Sequence, residues 1–169
     1  LAADITNVKL GVCSVTFNLT DLGHTKGGVI VTYAPEYHDV SVDKYGNTVV
    51  EKVLIGEKLT AVVPLAESTV SNLQVAIPAG STDTSKITIG DSAGTAMAAL
   101  AKELVLHPIA NEDADLSEDV VLYKAVVGSE VTLPFTFDGE RVVEVTFEAL
   151  LDEDRTDGDY LGLIGDSTS

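Results

Sequence analysis

The chain reads as a mainly β protein: an antiparallel β-sandwich or barrel with one flanking α-helix. Three observations predict this. Apolar residues recur at every second position in segment after segment, the period that turns one strand face to a core and the other to water. These segments are short and joined by Gly- and Asp-containing turns, not by the helices that parallel strands require. Only one stretch carries a strong helical period.

Taken in order, Cys13, Val15 and Phe17 alternate as the first strand. Val8 and Leu10 have the opposite phase, which predicts a bulge near Gly11. The turn-rich DLGHTKGG (21–28) leads into a strand over 29–33, VIVTY. The polar stretch 34–48 reads as a long loop before the strand-forming run 49–63. In AESTVSNLQVAIP, Ala66, Val70, Leu73 and Ile77 fall on one helical face, with Ser68 or Thr69 as cap and Pro78 as stop. Residues 79–85 read as a loop, KITI (86–89) as a short strand, and TAMAALA (95–101) as a second short helix. Strands follow over 103–109 and 120–127. In VTLPFTF, Val131, Leu133, Phe135 and Phe137 share a face, and Pro134 implies an edge or a bulge. Asp138-Gly139 then predicts a hairpin into RVVEVTFEAL, with Val143, Val145, Phe147 and Ala149 inward. One domain spans 1–169, with mobile residues after about 165.

Composition excludes several functions. The chain has 27 Asp+Glu against 10 Lys+Arg, a net charge of −17. Such a surface repels phosphate, and the scattered basic residues form no nucleic-acid footprint. No run is long and apolar enough to cross a membrane as a helix. The opening LAADITNV has neither a basic n-region nor an apolar h-region, so it does not read as a signal peptide. The single cysteine, Cys13, has no intramolecular partner and reads as a buried thiol.

The most enzyme-like stretch is GDSAG (90–94), a G-x-S-x-G match between a short strand and a helix-compatible run, which would make Ser92 a nucleophile. Its surroundings disagree. The only later histidine is His107, with Glu103 the only acid between them, and no parallel sheet or glycine-rich oxyanion loop accompanies it. The motif reads as a small-residue turn, and no catalytic residue is assigned. GHTKGG (23–28) lacks the P-loop order, so no cofactor site is assigned. The acidic runs 111–119 and 152–159 lack the EF-hand spacing, and the three histidines lack zinc spacing, so no metal is expected.

Two stretches carry a family resemblance. One is VTYAPEYHDVSVDKYGNTVVEKVLIGEKLTAVVPLAESTVSNL (31–73), with its V-D-x-Y-G loop and Gly56-Glu57 turn. The other is ITIGDSAGTAMAALAKELVLHP (87–108), continued by DVVLYKAVV and GERVVEVTFEALLDE. In this order they resemble the major tail (tail tube) proteins of long-tailed bacteriophages, over roughly residues 10–166.

The resemblance implies a tail-tube-type β-sandwich whose copies form hexameric rings. The rings stack into a tube between a tail terminator and tail-tip proteins, around a tape-measure protein. Double-stranded DNA passes through without specific binding. The protein would be made in the bacterial host cytoplasm and reside in the virion, with no membrane or cofactor. In the family a long loop reaches the neighbouring ring. The matching segment, 37–48, offers Tyr37, His38, Asp43, Lys44 and Tyr45 as inter-ring contacts. Strands 29–33 and 49–63 would form the channel wall, with Glu51 and Glu57 as candidates to face the lumen. A carboxylate-rich lumen would let DNA slide, and like-charged subunits would assemble better as salt screens them. Two other readings compete. One is a monomeric virion-decorating or receptor-binding β-sandwich, which would never polymerise. The other is a small esterase, whose activity Ser92→Ala would abolish.

Overall fold

A computed structural model of the chain describes residues 2–83 and 85–168. Ten strands and one α-helix follow in order: β1 (Cys13–Phe17), β2 (Thr20–Asp21), β3 (Ile30–Ser41), β4 (Val49–Leu65), α1 (Val70–Ala76), β5 (Ser81–Asp83), β6 (Lys86–Thr88), β7 (Lys102–Pro108), β8 (Val120–Val127), β9 (Val143–Ala149) and β10 (Gly162–Ile164). The protein is mainly β and antiparallel, with one flanking α-helix, as the alternation predicts.

The main sheet runs β2-β1-β7-β8-β9-β4-β3, and β10 pairs with β8 beyond the end of β9. This sheet is strongly curled. Phe17 on β1 and Phe147 on β9 have ring centroids 5.3 Å apart. In a flat sheet, strands three places apart would lie about 14 Å from each other. Residues 22–26 close the barrel: Leu22 N–H donates to Val15 O, Lys26 N–H to Pro64 O, and Ala66 N–H to His24 O, with Thr25 bridging to Leu65. The core lies inside, with Val15, Leu22, Leu65, Leu104, Leu122 and Phe147 fully buried. Each such side chain contributes about 1.5–3 kcal/mol of transfer free energy.

Helix α1 begins where Thr69 caps it, accepting from Asn72 N–H at 3.3 Å, and ends before Pro78. Its buried face is Asn72 and Ala76, with Leu73 packed against the core, while Val70 stays at the surface. The expected face is therefore rotated. The reason is polar: the Asn72 side-chain amide donates to Leu22 O and Glu67 O, each at 2.8 Å, and this ties the helix to the barrel.

Five sequence expectations are corrected. The hairpin over 131–150 does not form; only its second half, β9, is a strand. The edges of β9 are already taken. Strand β4 pairs with it from Val143 to Glu148, and β8 with Gly128 occupies the other edge from Thr146 onward. Local turn chemistry thus loses to two long-range partners. The stretch 34–48 is no loop, because β3 continues through Ser41 and only a short 3-10 turn, Asp43–Tyr45, lies at the end. Residues 81–83 are a strand paired with β6. The second helix is reduced to a 3-10 turn, Met97–Ala99. Near Gly11 there is likewise no strand to bulge, because β1 starts at Cys13.

Candidate functional site

The feature that stands apart from the barrel is the β3–β4 hairpin. β4 pairs with β9 only from Thr60 to Leu65, whereas its pairing with β3 runs from Val62 out to Val49. Beyond Lys58, whose ammonium lies 3.4 Å from Glu148 on the barrel, the two strands pair only with each other. The result is a ribbon about 30 Å long.

Its composition is apolar for a surface. Tyr33, Tyr37, Val49, Val50, Val53, Leu54 and Ile55 are all exposed, Ile55 by 65%. Opposite residues share a face and successive ones alternate. Tyr37 stands opposite Leu54, His38 opposite Val53, Asp39 opposite Lys52 and Val40 opposite Glu51. Both faces therefore mix apolar side chains with isolated charges. A two-stranded ribbon of this kind is marginal in water unless something packs on it.

Local electrostatics stiffen the ribbon. Lys52 Nζ lies 2.5 Å from Asp39 Oδ1 directly across it. The Tyr33 hydroxyl donates to Glu57 Oε1 at 2.7 Å, and that bond to a carboxylate pushes the phenol pKa up to about 12.

The sequence-predicted inter-ring residues all lie on this ribbon, in two groups. Asp43, Lys44 and Tyr45 make its tip, with the Lys44 ammonium 5.4 Å from the Tyr45 ring centre. Tyr37 and His38 sit on β3, about 15–20 Å back from the tip. Glu51 and Glu57 do not share a face. The register shifts between Glu36 and Tyr37, so β4 carries Ile55 as an extra residue while β3 stays regular. Glu57 is opposite Pro35 and Glu51 opposite Val40, five residues apart on β3, which places the two carboxylates on opposite faces. One wall can present either of them, not both.

Nor does the ribbon hold the charge. Over 30–65 there are five carboxylates against three lysines. The acid concentrates in 112–119, with five carboxylates and no base, and in 152–166, with six carboxylates and one arginine. These segments meet beside β8, where Gly165 N–H donates to Asp119 O at 2.8 Å. There Arg155 stacks 3.3 Å from the Tyr123 ring centre and pairs with Asp159 at 2.7 Å, while Tyr123 donates to Asp159 at 2.6 Å.

Ser92 lies in an exposed turn. Its N–H donates to Asp91 Oδ1 at 2.7 Å, and its carbonyl accepts from the Thr95 hydroxyl at 2.9 Å. The depression beside it is lined by Ile77, Ala79, Ile89, Asp91, Thr95, Met97 and glycines, with no histidine among them. His107 instead faces Asp119, Nδ1 to Oδ1 at 2.6 Å, largely buried, with Nε2 unpartnered. Sequence reasoning sought an acid before this histidine and so missed the one that follows it.

Among the described residues no group of three His, Cys, Asp or Glu side chains is placed to hold a metal ion, and no helix is long and apolar enough to cross a membrane. Cys13 is a free, half-buried thiol whose pKa burial raises. No protein-family model matches the sequence, and no curated protein matches it.

Proposed function

We propose that this chain is a structural, self-assembling subunit, the tail tube protein of a long-tailed bacteriophage. Copies join into rings, six per ring on the family resemblance, and the rings stack into a conduit for DNA at ejection. The observation that carries this reading is the β3–β4 ribbon. It is long, carries exposed apolar side chains on both faces and is unpaired along both outer edges among the described residues, which suits a segment that packs between copies. The tip residues Asp43, Lys44 and Tyr45 are the contacts proposed for the next ring, and the ribbon strands form the proposed channel wall.

The charge argument needs one refinement. The ribbon is nearly balanced, so a phosphate-repelling field arises mainly from the loops 112–119 and 152–166. Glu51 or Glu57 adds to it according to which ribbon face turns inward. The reading assigns no catalytic role to Ser92, no cofactor, and no partner beyond other copies, the tail proteins that flank the tube and the DNA that passes through it.

Negative-stain electron microscopy of the purified chain, with light scattering across a concentration series, tests the proposal. Hollow tubes of uniform width, or hexameric rings, are the expected result. A monomer at every concentration and salt would overturn it and favour the decorating or receptor-binding module.

A further inference from the structure

Among the described residues, 130–142, between β8 and β9, take part in no backbone–backbone hydrogen bond. Backbone amides and carbonyls are obligatory hydrogen-bonding groups, so, apart from the Glu130 carbonyl, which accepts from the Ser129 hydroxyl, this arm leaves nearly all of them to water. Its side chains do not suit water. Phe135 is 74% exposed, Phe137 is fully exposed and Leu133 is at the surface. The alternation in VTLPFTF is nevertheless that of a strand, and residues 131–137 carry no charge.

A free sheet edge of matching length exists elsewhere in the molecule. β3 pairs only with β4, so its outer edge is open over all twelve residues from Ile30 to Ser41. The outer edge of β4 is open too beyond Thr60, but both register irregularities fall on that strand, at Val50 and Ile55, and bulges blunt pairing. β3 is regular. It carries exposed Ile30, Tyr33 and Tyr37 to meet the phenylalanines.

The arm is anchored at Gly128 and at Val143, so in its own chain it cannot reach the outer part of that edge, beyond Glu36, which lies about 30 Å or more from Leu65. Val143, where the arm ends, pairs with Leu65 at the barrel end of β4, and Glu140 is held there by Lys26 at 2.6 Å. Measured along β4, the ribbon tip lies about 50 Å away. We infer that the 131–137 arm of one copy adds as an edge strand to β3 of a second copy. The arm sits at the barrel end and the outer part of β3 at the ribbon end, so the contact can repeat head-to-tail, and such contacts close into rings or propagate as filaments. Pro134 fits a terminal strand, whose far side needs no donor. The inference rests on the self-assembly reading and specifies the pairing within it.

The test uses the full chain with Cys13→Ser, so that introduced cysteines are alone. Phe135→Cys protein is mixed with Tyr33→Cys or Tyr37→Cys protein under mild oxidation, and Ile89→Cys, exposed and on neither element, serves as control. Disulfide-linked heterodimers about tenfold above the control are expected with one of the two β3 positions, and mixing separate chains makes the bond intermolecular. Phe137→Pro should weaken assembly about tenfold relative to Phe137→Ala, because it removes a donor from the edge of the arm opposite to that of Pro134, while the monomer's melting curve stays that of Phe137→Ala because Phe137 is fully exposed and its backbone unpaired. Tubes or rings with cross-linking at control level would overturn the arm pairing and leave the tube reading standing. Cross-linking suppressed by Phe137→Pro and not by Phe137→Ala, without tubes or rings, would support the arm and sink the tube. A monomer with no cross-link would overturn both.

Discussion

Phe17 on β1 and Phe147 on β9 meet at 5.3 Å, tilted by 35°, although two strands separate them in the sheet. This contact is what the curl of the sheet produces. Phe147 is fully buried, whereas Phe17 lies at the margin of the core. Phe147→Ala should therefore cost about 3–5 kcal/mol, a large fraction of the stability of an ordinary domain, and Phe17→Ala distinctly less. Urea denaturation followed by circular dichroism measures both. Equal, small losses would mean that the sheet is not closed around Phe147.

The β1–β2 hairpin has a strained turn. Asn18 and Leu19 both take left-handed conformations, φ 48° and 64°, and Leu19 is 90% exposed. A leucine in that region costs about 1–2 kcal/mol and here buries nothing in return. Leu19→Gly restores the Asn-Gly pair that suits a two-residue hairpin turn. A gain of up to about 1 kcal/mol is expected after the entropy lost to the more flexible unfolded chain. Unchanged or lower stability in the same denaturation assay would contradict the turn geometry.

The Tyr33–Glu57 bond makes a pH prediction. The phenol pKa is raised in the folded state, from 10.0 to about 12, because the carboxylate holds the neutral hydroxyl. A group raised on folding contributes stability that is complete below its unfolded value. That contribution disappears as pH climbs through the folded one. With the carboxylate ionised, from neutral pH upward, the bond should therefore hold up to about pH 10 and vanish near 12. Ultraviolet titration of the tyrosines in wild type and Glu57→Gln isolates it. One phenol should ionise earlier in the variant, and superimposable curves would refute the bond.

Strand identity was legible wherever burial enforced alternation. β8 was read from the sequence with the bounds it has, β7 to within one residue and β9 to within two, because Leu104, Leu106, Leu122, Val143, Val145 and Phe147 face one core. Two kinds of information were not legible. The first is competition for a partner: Asp138-Gly139 is a sound turn signal, yet β4 and β8 already hold β9. The second is register. Nothing in VVEKVLIGEK marks Ile55 as the extra residue, so the opposed faces of Glu51 and Glu57 could not be foreseen. The ribbon was hidden for a related reason. With neither face buried, residues 34–41 show no alternation, and their polar composition resembles that of a loop.

Charge supplies the last prediction. Each subunit carries −17, most of it on exposed loops where solvent screens it readily. Bringing copies together at low ionic strength, where fields extend about 30 Å at 0.01 M, opposes association. At about 1 M salt the range falls to about 3 Å, and apolar contacts along the ribbon then dominate. Assembly should therefore increase with sodium chloride, read by sedimentation or light scattering at fixed protein concentration. Replacing four exposed carboxylates, Glu112→Gln, Asp113→Asn, Glu153→Gln and Asp154→Asn, should flatten that dependence and permit assembly at lower salt. None of the four is in an ion pair, so the barrel should keep its stability. Tubes that form best at low salt and dissolve as it rises would show instead that attraction between charges holds the subunits together.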